Sequence, residues 1–214
     1  MSAAPYASQQ GMVSKEADQV AVRPTVKSKP VYMPLSADSK ARNHLLVAEL
    51  GGLEAVLRIL DQLSAPDRSD SVDVYCLGSV PSTFENHVSV YTFDSLAALL
   101  RALEQRLSIS NMGMCLYIAG RESFLWQVSH TAYAAGLRED EIRREACGSE
   151  ARCVFCIHCR SFIENVVTNS IVCPNCGELL EVRDHFSRAL AAYMGVVANA
   201  GNPLDVPETV ERFS

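Results

Sequence analysis

The chain has 214 residues and a formal net charge of −6 at pH 7, from 19 basic and 25 acidic side chains. This length suits one medium domain with a buried core and a small additional module. The four lysines all lie at or before residue 40, and no cluster of basic residues could follow a phosphate backbone, which argues against nucleic-acid binding. No leader pattern and no apolar run long enough to span a bilayer occur, so we expect no membrane partner and a cytoplasmic location.

Residues 1–30 are rich in Ala, Ser, Gln, Lys and Pro and lack apolar periodicity, which predicts a mobile N-terminal arm. Between residues 31 and 148, apolar strand-like runs alternate with amphipathic helical patterns. Strands are predicted at His44–Ala48, Val72–Leu77, Val88–Tyr91 and Met114–Ala119. Helices are predicted at Leu53–Leu63, Leu96–Leu107 and Phe124–Ala135. This alternation indicates a small three-layer α/β domain with a parallel sheet between its helices.

Local signals mark where these elements begin and end. Asp94 or Ser95 is the expected N-cap of the second helix, and Gly136 the expected stop of the third. A polar loop is predicted at 64–70.

Beyond residue 148 the pattern changes to short β-rich runs, at Phe162–Thr168 and Leu179–Val182. A last helix is predicted from Asp184 to Met194, with Gly195 as its stop. The remainder is expected to be an extended tail that either straps onto a partner or is disordered.

Two Cys-x-x-Cys pairs carry the clearest chemical signal in the chain. Cys156 and Cys159 form the first knuckle, and Cys173 and Cys176 form the second after a spacer of thirteen residues. Each knuckle lets two thiolates converge on one ion, and four sulfurs complete a tetrahedral site. The pattern predicts a four-cysteine metal ribbon at 149–183. Zinc is the first choice, and a single iron is the alternative, since Arg160 stands where rubredoxins carry glycine.

The other four cysteines receive different interpretations. Cys76 and Cys115 lie in apolar runs and are expected to be plain core residues. Cys147 and Cys153 flank the ribbon, and Cys153 forms a further Cys-x-x-Cys with Cys156, which leaves a second ligand set open. Metal-type spacing favours thiols over disulfides, in keeping with a reducing compartment.

Three polar residues near the ribbon resemble catalytic or ligating groups, but simpler roles are expected. His158 lies inside the first knuckle, where four sulfurs already suffice, so it should be exposed or support the ligands. Asp184 and His185 are adjacent, and neighbours on one helix do not face each other. Asp184 is therefore predicted to cap the last helix, and His185 to lie on the surface.

The α/β part resembles the pyridine-nucleotide half of ferredoxin reductases. The likeness is carried by the stretches Leu45–Ala55, Leu116–Phe124 and Ala134–Glu145. It implies Gly51, Gly52 and Gly120 as cofactor-binding positions and a last short strand after the third helix.

Charge argues against that nucleotide site. Glu49 and Glu54 bracket the glycine turn, where a pyrophosphate would be repelled, and Arg121 replaces the proline of the family. A scaffold used for docking is the favoured interpretation.

The C-terminal part resembles the A-type subunit of bacterial dimethylamine monooxygenase. The likeness rests on Val154–Cys159, Cys173–Gly177 and Val182–Val196, and with the upstream domain it covers roughly 30–196. It implies a multisubunit enzyme that uses NADPH and O₂ to convert dimethylamine to methylamine and formaldehyde. Flavin, an iron–sulfur cluster and the oxygen-activating centre are expected in partner reductase and catalytic subunits.

Within such a complex, three roles are open for this chain. The first is a metal-stapled docking subunit without catalytic residues of its own. The alternatives are a rubredoxin-like one-electron carrier and a nicotinamide-binding reductase module.

Overall fold

The computed structural model describes residues 28–64, 70–80, 88–110, 113–198 and 208–214. Most of the predicted arm, the loop positions 65–69 and the tail positions 199–207 lie outside the described residues. The described chain forms two five-stranded sheets, one before and one after residue 148. None of the described helices is both long and apolar enough to cross a membrane.

The first sheet is entirely parallel, with strand order β3-β2-β1-β4-β5. Its strands are β1 (Asn43–Glu49), β2 (Ser71–Leu77), β3 (Ser89–Phe93), β4 (Met114–Gly120) and β5 (Ile142–Ala146). Its helices are α1 (Leu53–Leu63), α2 (Leu96–Ser108) and α3 (Glu122–Ala134). All four predicted strands and all three predicted helices are confirmed, as is the short last strand that the resemblance implied.

Helices cover both faces of this sheet. In β1, the side chains of Leu46 and Ala48 pack in the cluster that contains α1, whereas Leu45 and Val47 pack with α2 and α3. Strands buried on both faces read as continuous apolar runs, which is why they were visible in the sequence. The three-layer α/β architecture is confirmed.

The helix ends follow the local signals. Ser95 is the N-cap of α2, since its Oγ accepts a hydrogen bond from the Ala98 N–H at 3.3 Å. Gly136 follows α3 with φ of +95°, a conformation that glycine adopts at little cost.

The second sheet is smaller and mostly antiparallel, with strand order β7-β6-β10-β9-β8. Its strands are β6 (Arg152–Cys156), β7 (Phe162–Val166), β8 (Ser170–Val172), β9 (Leu179–Ser187) and β10 (Ala192–Val197). Only β6 and β10 pair in parallel. The sheet therefore continues well past residue 183, where the ribbon was predicted to end.

The predicted helix from Asp184 to Met194 is wrong. The segment forms the end of β9, a tight turn and β10, with Ala191 at φ of +52° in the turn. Gly195 does not stop a helix. A Cβ there would lie 2.8 Å from Val154 Cγ1, so glycine is needed for β10 to lie against β6. Asp184 is consequently no helix cap, whereas His185 is exposed as predicted.

The described end of the tail packs on its own chain. The N–H groups of Arg212 and Phe213 donate to the Val167 carbonyl at 2.8 and 2.9 Å, and Thr168 bridges to Glu211. The Phe213 ring is buried in the core of the second sheet. Residues 208–214 are therefore ordered against the second sheet, and contact of the tail with a partner stays a prediction.

Helix α3 joins the two sheets. Trp126, although it lies on α3, is buried in the core of the second sheet, where its ring lies 5.6 Å from that of Phe186. Its Nε1 donates to the Tyr32 hydroxyl at 2.8 Å, and that hydroxyl donates to Glu122 at 2.7 Å. The two sheets thus share a packed interface.

Candidate functional site

The fold brings the four predicted ligands together. The sulfur atoms of Cys156, Cys159, Cys173 and Cys176 all lie within 4.8 Å of one another. Cys159 Sγ lies 3.6 Å from Cys173 Sγ, and Cys156 Sγ lies 3.9 Å from Cys176 Sγ. Four sulfurs at metal–sulfur distances of about 2.3 Å in a tetrahedron would be about 3.8 Å apart. The arrangement therefore fits one tetrahedral ion, and it is far too open for disulfides.

The two knuckles share one backbone design. In the first, Arg160 N–H donates to the Cys156 carbonyl at 2.8 Å, and in the second, Gly177 N–H donates to the Cys173 carbonyl at 2.9 Å. Both closing residues have positive φ, 62° at Arg160 and 78° at Gly177. Arg160 thus holds the position where the other knuckle uses glycine, and it carries the conformational cost of a side chain there.

Replacing Arg160 with glycine is expected to stabilise the second sheet by about 0.5–1 kcal/mol, because glycine adopts positive φ without a Cβ penalty. Arg160→Ala is the matched control, since it removes the same side chain but keeps the Cβ. Thermal unfolding of the metal-loaded proteins is the measurement. A glycine variant no more stable than the alanine variant would contradict the assigned strain.

The cysteines of the cluster titrate unequally. A hydrogen bond with the Ser161 hydroxyl, at 3.0 Å, lowers the pKa of the Cys159 thiol to about 5. Burial raises the pKa of Cys156 above its ordinary value of 9.0. A thiolate is the species that binds metal, so Cys159 is ready as a ligand at neutral pH.

The remaining cysteines stand apart from the cluster. Cys76 and Cys115 are buried in the first sheet, as predicted, and all eight cysteines are free thiols. Burial raises the pKa of Cys153 to about 12, and this residue is not among the four that converge. His158 is exposed and supplies no ligand atom to the group.

The cofactor-binding positions implied by the reductase resemblance lie at the carboxyl edge of the first sheet, beside a cavity of about 560 Å³. Gly51 and Gly52 form the turn between β1 and α1, and Gly120 ends β4. A Cβ on Gly52 would lie 2.3 Å from the Ala119 carbonyl oxygen, so this glycine lets α1 approach β4. A Cβ on Gly51 would lie 3.3 Å from the Cα of Gly148, so the linker backbone crosses this turn.

These residues do not fit a bound pyridine dinucleotide. Glu49 is nearly buried at the end of β1, and its carboxylate accepts three hydrogen bonds from Arg121. A Cβ on Gly120 would lie 2.6 Å from Glu49 Cγ, so the carboxylate occupies the space beside that glycine. The approach that a pyrophosphate needs is taken by protein atoms.

The sequence interpretation missed a buried cation between two aromatic rings. The Arg152 guanidinium lies 3.9 Å from the centre of the Tyr193 ring and 3.6 Å from that of Phe213. It also donates to Asp184 at 2.7 Å. An arginine inside the apolar run that contains Cys153 and Cys156 was the available signal, since a buried strand excludes an unpartnered charge.

Low pH is expected to weaken the ion pair between Arg152 on β6 and Asp184 on β9. The Arg152 guanidinium holds the pKa of Asp184 below its ordinary value of 3.8. A lowered folded-state pKa stabilises the protein above the unfolded-state pKa, and this stabilisation is lost as pH falls through the folded-state pKa. The difference in Tm between the protein and an Asp184→Asn variant should therefore be constant from about pH 5 to 7 and shrink below about pH 4. A Tm difference that does not change with pH would show that the ion pair contributes nothing to the stability of the fold.

Two family models match the chain. The model described as dimethylamine monooxygenase subunit DmmA-like, N-terminal domain, matches residues 24–142, which is more than half of the chain. The model described as the C-terminal domain of the same DmmA-like subunit matches residues 153–196. The predicted resemblance is confirmed by both matches.

A curated relative of the chain is a subunit of an oxidative enzyme. The heme-dependent oxidative N-demethylase delta subunit of Ectopseudomonas mendocina (strain ymp) is 40% identical over 97 residues, which are 45% of this chain and 55% of that protein. The chain therefore spans about half the length of the curated relative it matches.

Solved reductase structures are more distant. The ferredoxin reductase in carbazole 1,9a-dioxygenase is 16% identical, with a TM-score of 0.44 over 53% of this chain and 40% of that one. Phthalate dioxygenase reductase is 15% identical, with a TM-score of 0.43 over 61% of this chain and 46% of that one. Both TM-scores are below 0.5.

Proposed function

Because this chain belongs to the family of dimethylamine monooxygenase subunits described as DmmA-like, we propose that it is a metal-stapled docking subunit of an oxidative N-demethylase. The reaction takes two electrons from NADPH and one O₂. One oxygen atom leaves with the methyl carbon of dimethylamine as formaldehyde, the other as water, and methylamine remains. The nicotinamide, flavin, iron–sulfur and oxygen-activating sites are assigned to partner subunits in the cytoplasm.

The closed cysteine cluster is the observation that carries this assignment. A tetrahedral ion bound here would have all four positions filled by cysteine sulfur, which would leave none for O₂, water or an amine. An ion held in this way stabilises the fold and does not activate a substrate. Zinc is the first choice because Arg160 stands where rubredoxins carry glycine. Either ion would supply much of the folding free energy of a small sheet with a limited core.

Apolar side chains around the knuckles suit a docking role. Ile157 lies within the first knuckle, Val172 directly precedes the second, and Phe162 begins β7, and all three are about half exposed. Residues of this kind lose water when a partner covers them, and their burial drives association. We assign this apolar rim, defined by Ile157, Phe162 and Val172, to contact with another subunit of the demethylase.

The proposal is tested by co-expression of the tagged chain with reductase and oxygen-activating subunits from the same organism. The expected result is a complex of defined stoichiometry that oxidises NADPH and releases formaldehyde only when dimethylamine is present. Omission of this chain should abolish assembly or activity. A chain that stays monomeric, with full activity in the remaining subunits, would refute the proposal.

Within that complex, Val172→Asp is expected to lower the yield of co-purified subunits about tenfold, equivalent to about 1.4 kcal/mol, because it places a charge in the apolar rim. Leu57→Asp is the matched control, since Leu57 is a similarly exposed apolar residue on α1. Equal yields for both variants would remove the rim from the interface but leave the subunit assignment intact.

A one-electron carrier is the second candidate, and one feature favours it. Four converging cysteine sulfurs are also the ligand set that a single rubredoxin-type iron accepts. Elemental analysis and a visible absorption spectrum distinguish the docking subunit from the one-electron carrier. About one zinc per chain and no colour supports the docking role, whereas about one iron and a reducible thiolate band supports electron transfer.

A further inference from the structure

The carboxylate of Glu49 lies at the point where β4 passes into α3. It accepts hydrogen bonds from the Arg121 backbone N–H at 2.5 Å, from Arg121 Nε at 3.0 Å and from Arg121 Nη2 at 3.2 Å. Arg121 is the N-cap residue of α3, a helix of 13 residues. Glu49 is only 8% exposed, whereas the Arg121 side chain is 41% exposed, so a buried carboxylate is paired with a guanidinium that reaches the surface.

The N-terminus of a helix beside an arginine side chain normally suits an anion from solution. A helix N-terminus presents unpaired N–H groups with a partial positive charge, and a guanidinium adds a full charge and two parallel donors. In this chain the anion is part of the protein, 72 residues away in sequence from the arginine that binds it. The carboxylate raises the pKa of Arg121, as expected for a guanidinium in direct contact with an anion.

The linker between the two sheets closes the other side of the crevice. Cys147 N–H donates to the Gly120 carbonyl at 2.9 Å, which holds the linker against the end of β4. Gly148 then passes close to Gly51, and Arg121 Nη1 donates to Asn165 of β7 at 3.0 Å. The crevice is therefore bounded by β1, α3, the linker and the second sheet.

We propose that Glu49 is a built-in ligand that fills the anion position of this crevice and excludes pyridine dinucleotides from the chain. Removing the carboxylate creates a site for a small carboxylate or phosphate anion between the α3 N-terminus and Arg121. The inference concerns the chain alone, and it stands or falls independently of the proposed function.

The experiment compares anion binding by the purified full-length chain and two variants of it. Glu49→Ala should unfold about 5 °C lower than the unchanged protein, since Arg121 loses its partner. Sodium formate at about 50 mM should restore most of that loss, because formate reproduces the missing carboxylate, whereas sodium chloride at equal ionic strength should not. Glu54→Ala, at an exposed acid in the first turn of α1, should show neither the loss nor the rescue.

Calorimetric titration of the unchanged chain with NADPH is the second measurement. No heat of binding is expected at cofactor concentrations up to about 1 mM. A micromolar Kd for NADPH would overturn the proposal. If Glu49→Ala does not fold, Glu49→Ser, which also vacates the anion position, serves in its place. Thermal stabilisation of that variant by inorganic phosphate, absent in the unchanged chain, supports the proposal, and equal responses overturn it.

Discussion

Replacing Cys156 with alanine is expected to reduce metal content from about one ion per chain to near zero and to unfold the second sheet. Loss of one of four sulfurs leaves three, and the ion then no longer links both knuckles through a complete tetrahedron. Because metal binding and folding are coupled in a module of this size, the cost is several kcal/mol. Elemental analysis and thermal unfolding are the two measurements.

Cys153→Ala is the matched control for this prediction. Both cysteines are buried on β6, three residues apart, but only Cys156 reaches the cluster. The Cys153 variant should retain its ion and lose about 1 kcal/mol, the usual cost of removing one small buried group. Loss of metal from the Cys153 variant instead would show that the second Cys-x-x-Cys pair, left open by the sequence, supplies the ligands.

Gly52→Ala is expected to lower the Tm by about 10 °C, equivalent to about 3 kcal/mol for a chain of this size. The backbone at Gly52 has φ of −98°, which alanine adopts freely, so the effect is purely steric. The added Cβ would lie 2.3 Å from the Ala119 carbonyl oxygen, and neither α1 nor β4 can move away without disturbing the sheet. Thermal unfolding of the purified Gly52→Ala variant measures this decrease in Tm.

Gly51→Ala tests the other glycine of the same turn. Its Cβ would meet the Cα of Gly148 at 3.3 Å, and the linker can give by a few tenths of an ångström. We expect a loss of no more than about 1 kcal/mol. If the two variants were equally destabilised, Gly52 would have no special role in packing, and its assignment to the contact between α1 and β4 would be wrong.

The parallel sheet could be predicted because its signals are local. Strands such as β1 and β4 are buried on both faces and read as unbroken apolar runs, and each helix shows its own period. The cluster was equally visible, because the spacing within each knuckle determines how two sulfurs converge. Both predictions depended on residues close together in sequence.

The errors involve contacts between residues far apart in sequence. Phe186, Leu190 and Tyr193 repeat at helical spacing, yet β10 forms because β6, some forty residues earlier, needs a partner. The Glu49–Arg121 pair was read as two unrelated charges for the same reason. The local spacing of apolar residues does not show which distant strand or side chain will supply the missing hydrogen-bond partners. In the segment that forms β10, pairing with β6 therefore prevailed over the helical pattern.

The one tryptophan of the chain lies where the two sheets meet, and this gives the protein an intrinsic optical probe. Trp126 is 3% exposed and contacts Phe186, while the Arg144 guanidinium lies 4.8 Å from its ring centre. Its fluorescence should shift to longer wavelength when the second sheet separates from α3, even while the parallel sheet stays folded. Tryptophan emission and far-ultraviolet circular dichroism, followed together during chelation, would distinguish local detachment from global unfolding without any added label.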